Sequence, residues 1–192
     1  MMDKNTIKNH FFEHREVINS IDDTFIDKIY SCAEVIVNTL NNGGTVFWCG
    51  NGGSSSDCQH LAAELIGRYD KNRKPIRSIS LTSDTAVLTC IANDFGYDEI
   101  FARQLDGLGK PGDTLVAIST SGKSQNVINA IKQAKYMKIN TIGLLGKSGG
   151  ETLPLCDDVI VVPSQTTARV QEMHIFFGHI LCDLIEEGLG LK

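Results

Sequence analysis

Two stretches of this sequence carry residue types that do chemistry at helical spacing. Asp57, His60 and Glu64 fall within about 60° of one another around a helix axis. Leu61 and Leu65 form an adjoining apolar face, so this polar face sits beside a core. His60 and Glu64, one turn apart, can share a metal ion or pass a proton. The same spacing also fits a solvated polar face with Asp57 as a cap. In the second stretch, Val170, Met173, Phe177, Ile180, Leu181, Leu184 and Ile185 form one apolar stripe. Gln171, Ile175, His179 and Cys182 form another strip on the far side, spread over about 80°. A helix lined on both sides is buried on both sides, so Gln171 and His179 face a site or another subunit. His174 lies about 140° from His179 and reads as a partly buried structural histidine. His179 is the functional candidate. Gln171 and His179 are about 12 Å apart along a straight helix. Meeting at one ion requires side chains that lean inward, a bend near Gly178, or ligands from two subunits.

Two further segments have the composition of anion-binding turns. Cys49-Gly50-Asn51-Gly52-Gly53-Ser54-Ser55-Ser56 is a glycine- and serine-rich turn that opens a helix. Glycines admit close backbone approach to a ligand, and the helix start offers free N–H groups. An ordinary tight turn with serine caps is the other reading. The segment is neither a dinucleotide-binding nor a Walker fingerprint, which weighs against a dinucleotide or a nucleoside triphosphate. Ser119-Thr120-Ser121-Gly122-Lys123-Ser124 also opens a helix. N-capping needs one hydroxyl; Ser119, Thr120, Ser121 and Ser124 together can wrap a phosphate monoester. Asn93 and Asp94 stand in a segment read as a helix-ending loop, as turn residues or as groups that grip sugar hydroxyls.

The elements that must position these residues alternate. Short apolar runs at 45–49, 78–81, 114–119, 141–145 and 159–162 read as buried strands. Helical stretches near 55–68, 84–92, 97–107, 124–137, 151–156 and 166–187 separate and follow them. This alternation predicts a three-layer α/β sandwich around a five-stranded parallel sheet, with ligands at the carboxyl ends of the strands. Two helices precede it, over about 3–41, and the sandwich occupies about 45–192. The sandwich does not require the leading pair, so they are expected to pack against another subunit of a homo-oligomer.

Composition narrows the function classes. The chain has 192 residues, 42% apolar and 21% charged, which suits one globular domain over 1–192. The net charge of −5 argues against a general nucleic-acid surface. Arg68, Lys71, Arg73, Lys74 and Arg77 form the one basic cluster. It reads as a solvated loop, with a phosphate-attracting rim as the alternative. No apolar run approaches the ~18 residues of a membrane helix, and the charged opening segment is no signal peptide. The expected compartment is the cytoplasm. The six cysteines lack paired spacing and read as reduced, mostly buried thiols rather than zinc ligands.

Four segments together resemble the sugar-isomerase (SIS) domain family, and within it the heptose-phosphate isomerases. They are CGNGGSSSDCQHLAAELIGRY (49–69), LTSDTAVLTCIANDFGYDEIFARQ (81–104), ISTSGKSQNVINA (118–130) and ARVQEMHIFFGHIL (168–181). The resemblance implies a flavodoxin-like sandwich assembled as a homotetramer, with sites where subunits meet. It implies zinc held by His60, Glu64, Gln171 and His179. It places substrate at Asn51, Gly52, Gly53, Glu64, Asn93, Asp94, Ser119, Thr120, Ser121, Ser124 and Gln171, the serines taking the phosphate. The implied reaction converts sedoheptulose 7-phosphate to D-glycero-D-manno-heptose 7-phosphate through an enediol, for lipopolysaccharide or capsule. Glu64 is the expected base and His179 the expected acid. A related non-enzymatic protein binds the replication initiator, but lacks Glu and His at the positions of Glu64 and His179. Arabinose 5-phosphate isomerases typically add regulatory domains, for which this chain has no room.

Overall fold

The five apolar runs form five parallel strands, seen in a computed structural model that describes residues 2–192. They are β1 (Val46–Gly50), β2 (Ser78–Ser80), β3 (Thr114–Ser119), β4 (Asn140–Gly146) and β5 (Asp158–Val162), in the order β2-β1-β3-β4-β5. That order is the flavodoxin-like arrangement, and the chain reverses direction across the sheet between β1 and β3. Every residue of β1 and β3 is buried, as a sheet covered on both faces demands. Side chains alternate: Val46 and Trp48 join one core, Phe47 and Cys49 the other.

Among the described residues seven α-helices accompany the sheet: α1 (Lys4–Asn19), α2 (Asp23–Asn41), α3 (Gly53–Ile66), α4 (Thr85–Phe95), α5 (Ala102–Leu108), α6 (Gln125–Tyr136) and α7 (Thr167–Gly188). One layer is built from α2, α3 and α7. The opposite layer is built from α4, α5 and α6. The sandwich therefore does require one leading helix, because α2 buries Ile29, Cys32, Ala33 and Ile36 in its core. By contrast α1 buries only Val17 and leaves Ile7, Phe11 and Phe12 exposed.

Two boundaries differ from the pattern reading. The helix expected at 84–92 runs on to Phe95, so Asn93 and Asp94 lie in its last turn rather than in a loop. Asp84 caps its start by accepting the N–H groups of Ala86 and Val87, each at 3.0 Å. Gly96, at φ 95°, stops it. The helix expected at 97–107 is then a 3-10 turn, Tyr97–Glu99, followed by α5.

α7 is uninterrupted from Thr167 to Gly188, so Gly178 makes no break. Instead Gly178 admits Leu61: a Cβ there would lie 2.6 Å from its methyl carbons. Cys32, Cys49, Cys58 and Cys182 are buried free thiols, and burial pushes Cys32 up to about 12. Cys90 is exposed. No helix among the described residues is long and apolar enough to cross a membrane.

His174 is fully rather than partly buried. Neither ring nitrogen makes a well-formed hydrogen bond. Burial pulls its pKa down to about 4, only partly offset by the nearby Leu145 carbonyl. Above the ordinary value of 6.5 the ring is neutral in both folded and unfolded chains. As pH falls below that, the unfolded chain takes up a proton that the folded one refuses, so stability falls. Wild type should lose about 2 kcal/mol more than His174→Leu between pH 7 and pH 5, read by urea unfolding. Equal losses would contradict this account of His174.

Candidate active site

The chemistry-bearing residues gather on α3 and α7. Because α3 follows β1 and α7 follows β5, the two meet across the same face of the sheet. His179 Nε2 faces His60 Nε2 at 3.0 Å, and His60 Nε2 lies 3.1 Å from Glu64 Oε1. The ligand atoms of all three lie within 4.8 Å of one another. Two facing imidazole nitrogens cannot both carry protons at this distance, so at least one presents a lone pair. Two nitrogens and a carboxylate oxygen converging in this way are a donor set that suits a divalent cation. The Tyr69 ring stands beside the group, with its centroid 5.7 Å from that of His179.

Gln171 occupies the other end of the same helix pair. Its carboxamide lies where a Cβ on Gly53 would be, so the bare glycine makes room for it. Asp57 stands between the two ends on α3. It is no helix cap, since α3 starts at Gly53 after Gly52. Its Oδ2 is buried without a hydrogen-bond partner. Burial raises its pKa, opposed by the Gln171 carboxamide and by positive charge on His60.

The glycine and serine turns lie at the carboxyl ends of β1 and β3, the neighbouring strands where the chain order reverses. Ser119 is buried, and its Oγ accepts the Gly122 N–H at 3.0 Å. Ser121 Oγ accepts the Lys123 N–H at 3.3 Å. Thr120 is half-buried beside them. Ser124 precedes α6 without a side-chain capping bond, which leaves its hydroxyl available. The Gly122 carbonyl accepts from the N–H and hydroxyl of Thr152, at 3.0 and 2.9 Å, and so braces the loop.

Two partners of Asn51 were not legible in the sequence. Its Nδ2 donates to Asn126 Oδ1 at 2.8 Å, and its Oδ1 accepts from Asn126 Nδ2 at 2.9 Å. The Tyr97 hydroxyl donates to the same Oδ1 at 3.0 Å. The Asn51 side chain thus ties the glycine turn to the start of α6. Asn93 and Asp94 are exposed, and Asn93 Nδ2 donates to Asp94 Oδ1 at 2.7 Å. The basic cluster is not uniform. Arg73 is buried against Glu186, while Arg68, Lys71, Lys74 and Arg77 are exposed.

A family model described as the SIS domain matches residues 10–146. A phosphoheptose isomerase from Nitratiruptor sp. is 48% identical over 181 residues, covering 94% of this chain and 97% of that protein. The phosphoheptose isomerase GmhA from Neisseria gonorrhoeae is similar in structure, with a TM-score of 0.91 and 38% identity, covering 96% of this chain and 98% of that one. A phosphoheptose isomerase from Francisella tularensis has a TM-score of 0.94 and 34% identity, covering 97% and 100%.

The packing of Gln171 on Gly53 is directly testable. In Gly53→Ala the added methyl displaces the carboxamide, the movable end of a flexible side chain. The unfolding free energy should change by less than about 1 kcal/mol, while the Gln171 side-chain amide signals shift in NMR spectra. Unmoved signals would refute this packing.

Proposed function

The chain belongs to the SIS-domain family and is an isomerase of sugar phosphates, and from that premise we propose that it converts sedoheptulose 7-phosphate to D-glycero-D-manno-heptose 7-phosphate. The product would feed nucleotide-activated heptose for lipopolysaccharide or capsule. The observation that carries the reading is the convergence of Glu64 with His60 and His179. Interchange of a ketose and an aldose moves a proton between C1 and C2 through an enediol. One group must take a carbon-bound proton and one must supply a proton. Glu64, half-buried with its Oε1 3.1 Å from His60 Nε2, is the base. His179 is the acid, with Tyr69 against its ring. His60, Glu64, Gln171 and His179 would hold zinc, which when bound supplies Lewis-acid stabilisation of negative charge on the substrate oxygens.

Ser119, Thr120, Ser121 and Ser124 take the phosphate at the start of α6, whose positive end favours the anion. The backbone of Asn51, Gly52 and Gly53 lines the sugar, and Asn93 and Asp94 grip its hydroxyls. Glu64 and Gln171 also touch it. Along α3, His60 and Glu64 lie about 10 and 16 Å beyond Gly53. That separation favours sites completed by a neighbouring copy, in a cytoplasmic homotetramer of a single SIS domain over 1–192. The exposed Ile7, Phe11 and Phe12 of α1 supply an apolar face for such assembly.

Metal content tests the ligand set. Purified protein should carry about one zinc per chain, and both His60→Ala and chelator treatment should remove most of it together with turnover. Full turnover by metal-free protein would sink the metal role.

The acid and base are tested with sedoheptulose 7-phosphate itself. Glu64→Gln and His179→Gln should each lose at least about a hundredfold in kcat while eluting at wild-type oligomer size. In deuterium oxide the wild-type product should carry deuterium at C2. A Glu64→Gln variant of near wild-type rate would show that Glu64 is not the base, and a wild type inert toward this substrate would overturn the substrate assignment.

A further inference from the structure

Both helices that carry the proposed ligands end at one buried ion pair. Arg73 lies in the loop after α3, and Glu186 in the last turn of α7. Arg73 Nε donates to Glu186 Oε1 at 2.6 Å, and the two side chains are 2% and 0% exposed. The rest of the guanidinium serves the end of α3. One terminal nitrogen donates to the Glu64 carbonyl at 2.8 Å. The other donates to the carbonyls of Leu65 at 2.8 Å and Gly67 at 3.4 Å. These are the carbonyls that a helix end leaves without partners. Glu186 in turn accepts the N–H groups of Tyr69 at 3.0 Å and Asp70 at 3.3 Å. Burial opposes charge on Glu186, but these N–H donors and Arg73 outweigh it and hold its pKa below the usual carboxylate range.

The pair is thus joined to the backbone at the residues that matter for the site. The peptide of Glu64 is held from one side. Tyr69, whose ring stands beside His179, is held from the other. An apolar pair of similar volume could fill the same space, and such replacements are often neutral or stabilising. Only the planar guanidinium fork can bind two helix carbonyls and a carboxylate in fixed directions.

We propose that the buried Arg73–Glu186 pair is a positioning latch that fixes α3 against α7 and thereby sets His60 and Glu64 at their distance from His179. The inference rests on reading that cluster as the isomerase site. Arg73 and Glu186 act through the ligands and touch no substrate.

The test uses the double variant Arg73→Met/Glu186→Met, which removes both charges and keeps the bulk, together with Arg73→Lys, which keeps the charge and loses the fork. Three quantities are read: the urea midpoint, the cobalt(II) dissociation constant followed by visible absorption, and kcat and KM for sedoheptulose 7-phosphate. The double variant should stay folded without urea but at a lowered midpoint, because the Tyr69 and Asp70 N–H groups and the Glu64 carbonyl lose their partners. It should bind cobalt about ten- to a hundredfold more weakly and lose kcat to a similar extent. KM should stay within about twofold, because the serine loop does not contact the latch. A folded double variant with wild-type cobalt affinity and kcat overturns the proposal. If the double variant does not fold, Arg73→Lys decides: weakened cobalt binding at a retained midpoint supports the latch, and unchanged binding overturns it. A wild type that neither binds cobalt nor turns over the sugar phosphate brings down the site reading, and the latch with it.

Discussion

The site depends on the packing of α3 against α7, where the side chains at the contact set how near the two helices come. Here a glycine on each helix makes room for the other. Gly178 on α7 receives Leu61, and Gly53 on α3 receives Gln171. Each contact adjoins or includes a chemical residue. His60 precedes Leu61 and His179 follows Gly178, so this approach brings the two imidazoles together nitrogen to nitrogen, their planes tilted by 52°. A side chain at Gly178 would push Leu61 away and part the histidines with it. The chemistry of the cluster is thus set by packing before any charge is considered.

The two ends of α3 serve opposite charges. Its amino end, after the glycine turn, presents free N–H groups and partial positive charge toward the strand ends. Its carboxyl end presents carbonyls, and Arg73 meets them with a formal positive charge, as the helix dipole favours. Between them Asp57, His60 and Glu64 occupy one face. The buried Oδ2 of Asp57, lacking a partner, is the least satisfied polar group on that face. A polar helix face that would ordinarily be solvated is here partly covered by α7, which half-buries Asp57 and Glu64 and leaves His60 exposed.

The sequence made the sheet and the two chemical helices legible because they rest on periodicity. Fully apolar runs of strand length specify a parallel sheet buried on both faces, and the second strip on α7 announced that its far side is covered. Side-chain directions at the ends of elements were not legible. Arg73 sits among exposed cations of the same loop, and nothing in its neighbours marks it as the one that turns inward. Its partner, Glu186, is far off in sequence on another helix. Asn126 is likewise an ordinary residue in the first turn of α6 until the fold sets Asn51 opposite it. Asn93 and Asp94 read as turn formers by type, yet the Asp84 cap and the Gly96 stop fix the helix around them. The role of α2 was hidden because a pattern shows that a face is apolar without showing what it packs on.

The strand order also shapes how the chain reaches this structure. Every neighbouring pair in the sheet is parallel, so no pair can form by closing a hairpin. The pairing of β1 with β3 is the most demanding: the Thr45 N–H meets the Asp113 carboxylate across 68 residues of chain. Loop-closure entropy must be met before that ladder contributes anything, so this pairing carries the largest closure cost in the sheet. Until it forms, Phe47 and Trp48 lie open to other chains. One edge of the finished sheet is better protected, since β2 there spans only three residues and offers a stray strand little to pair with.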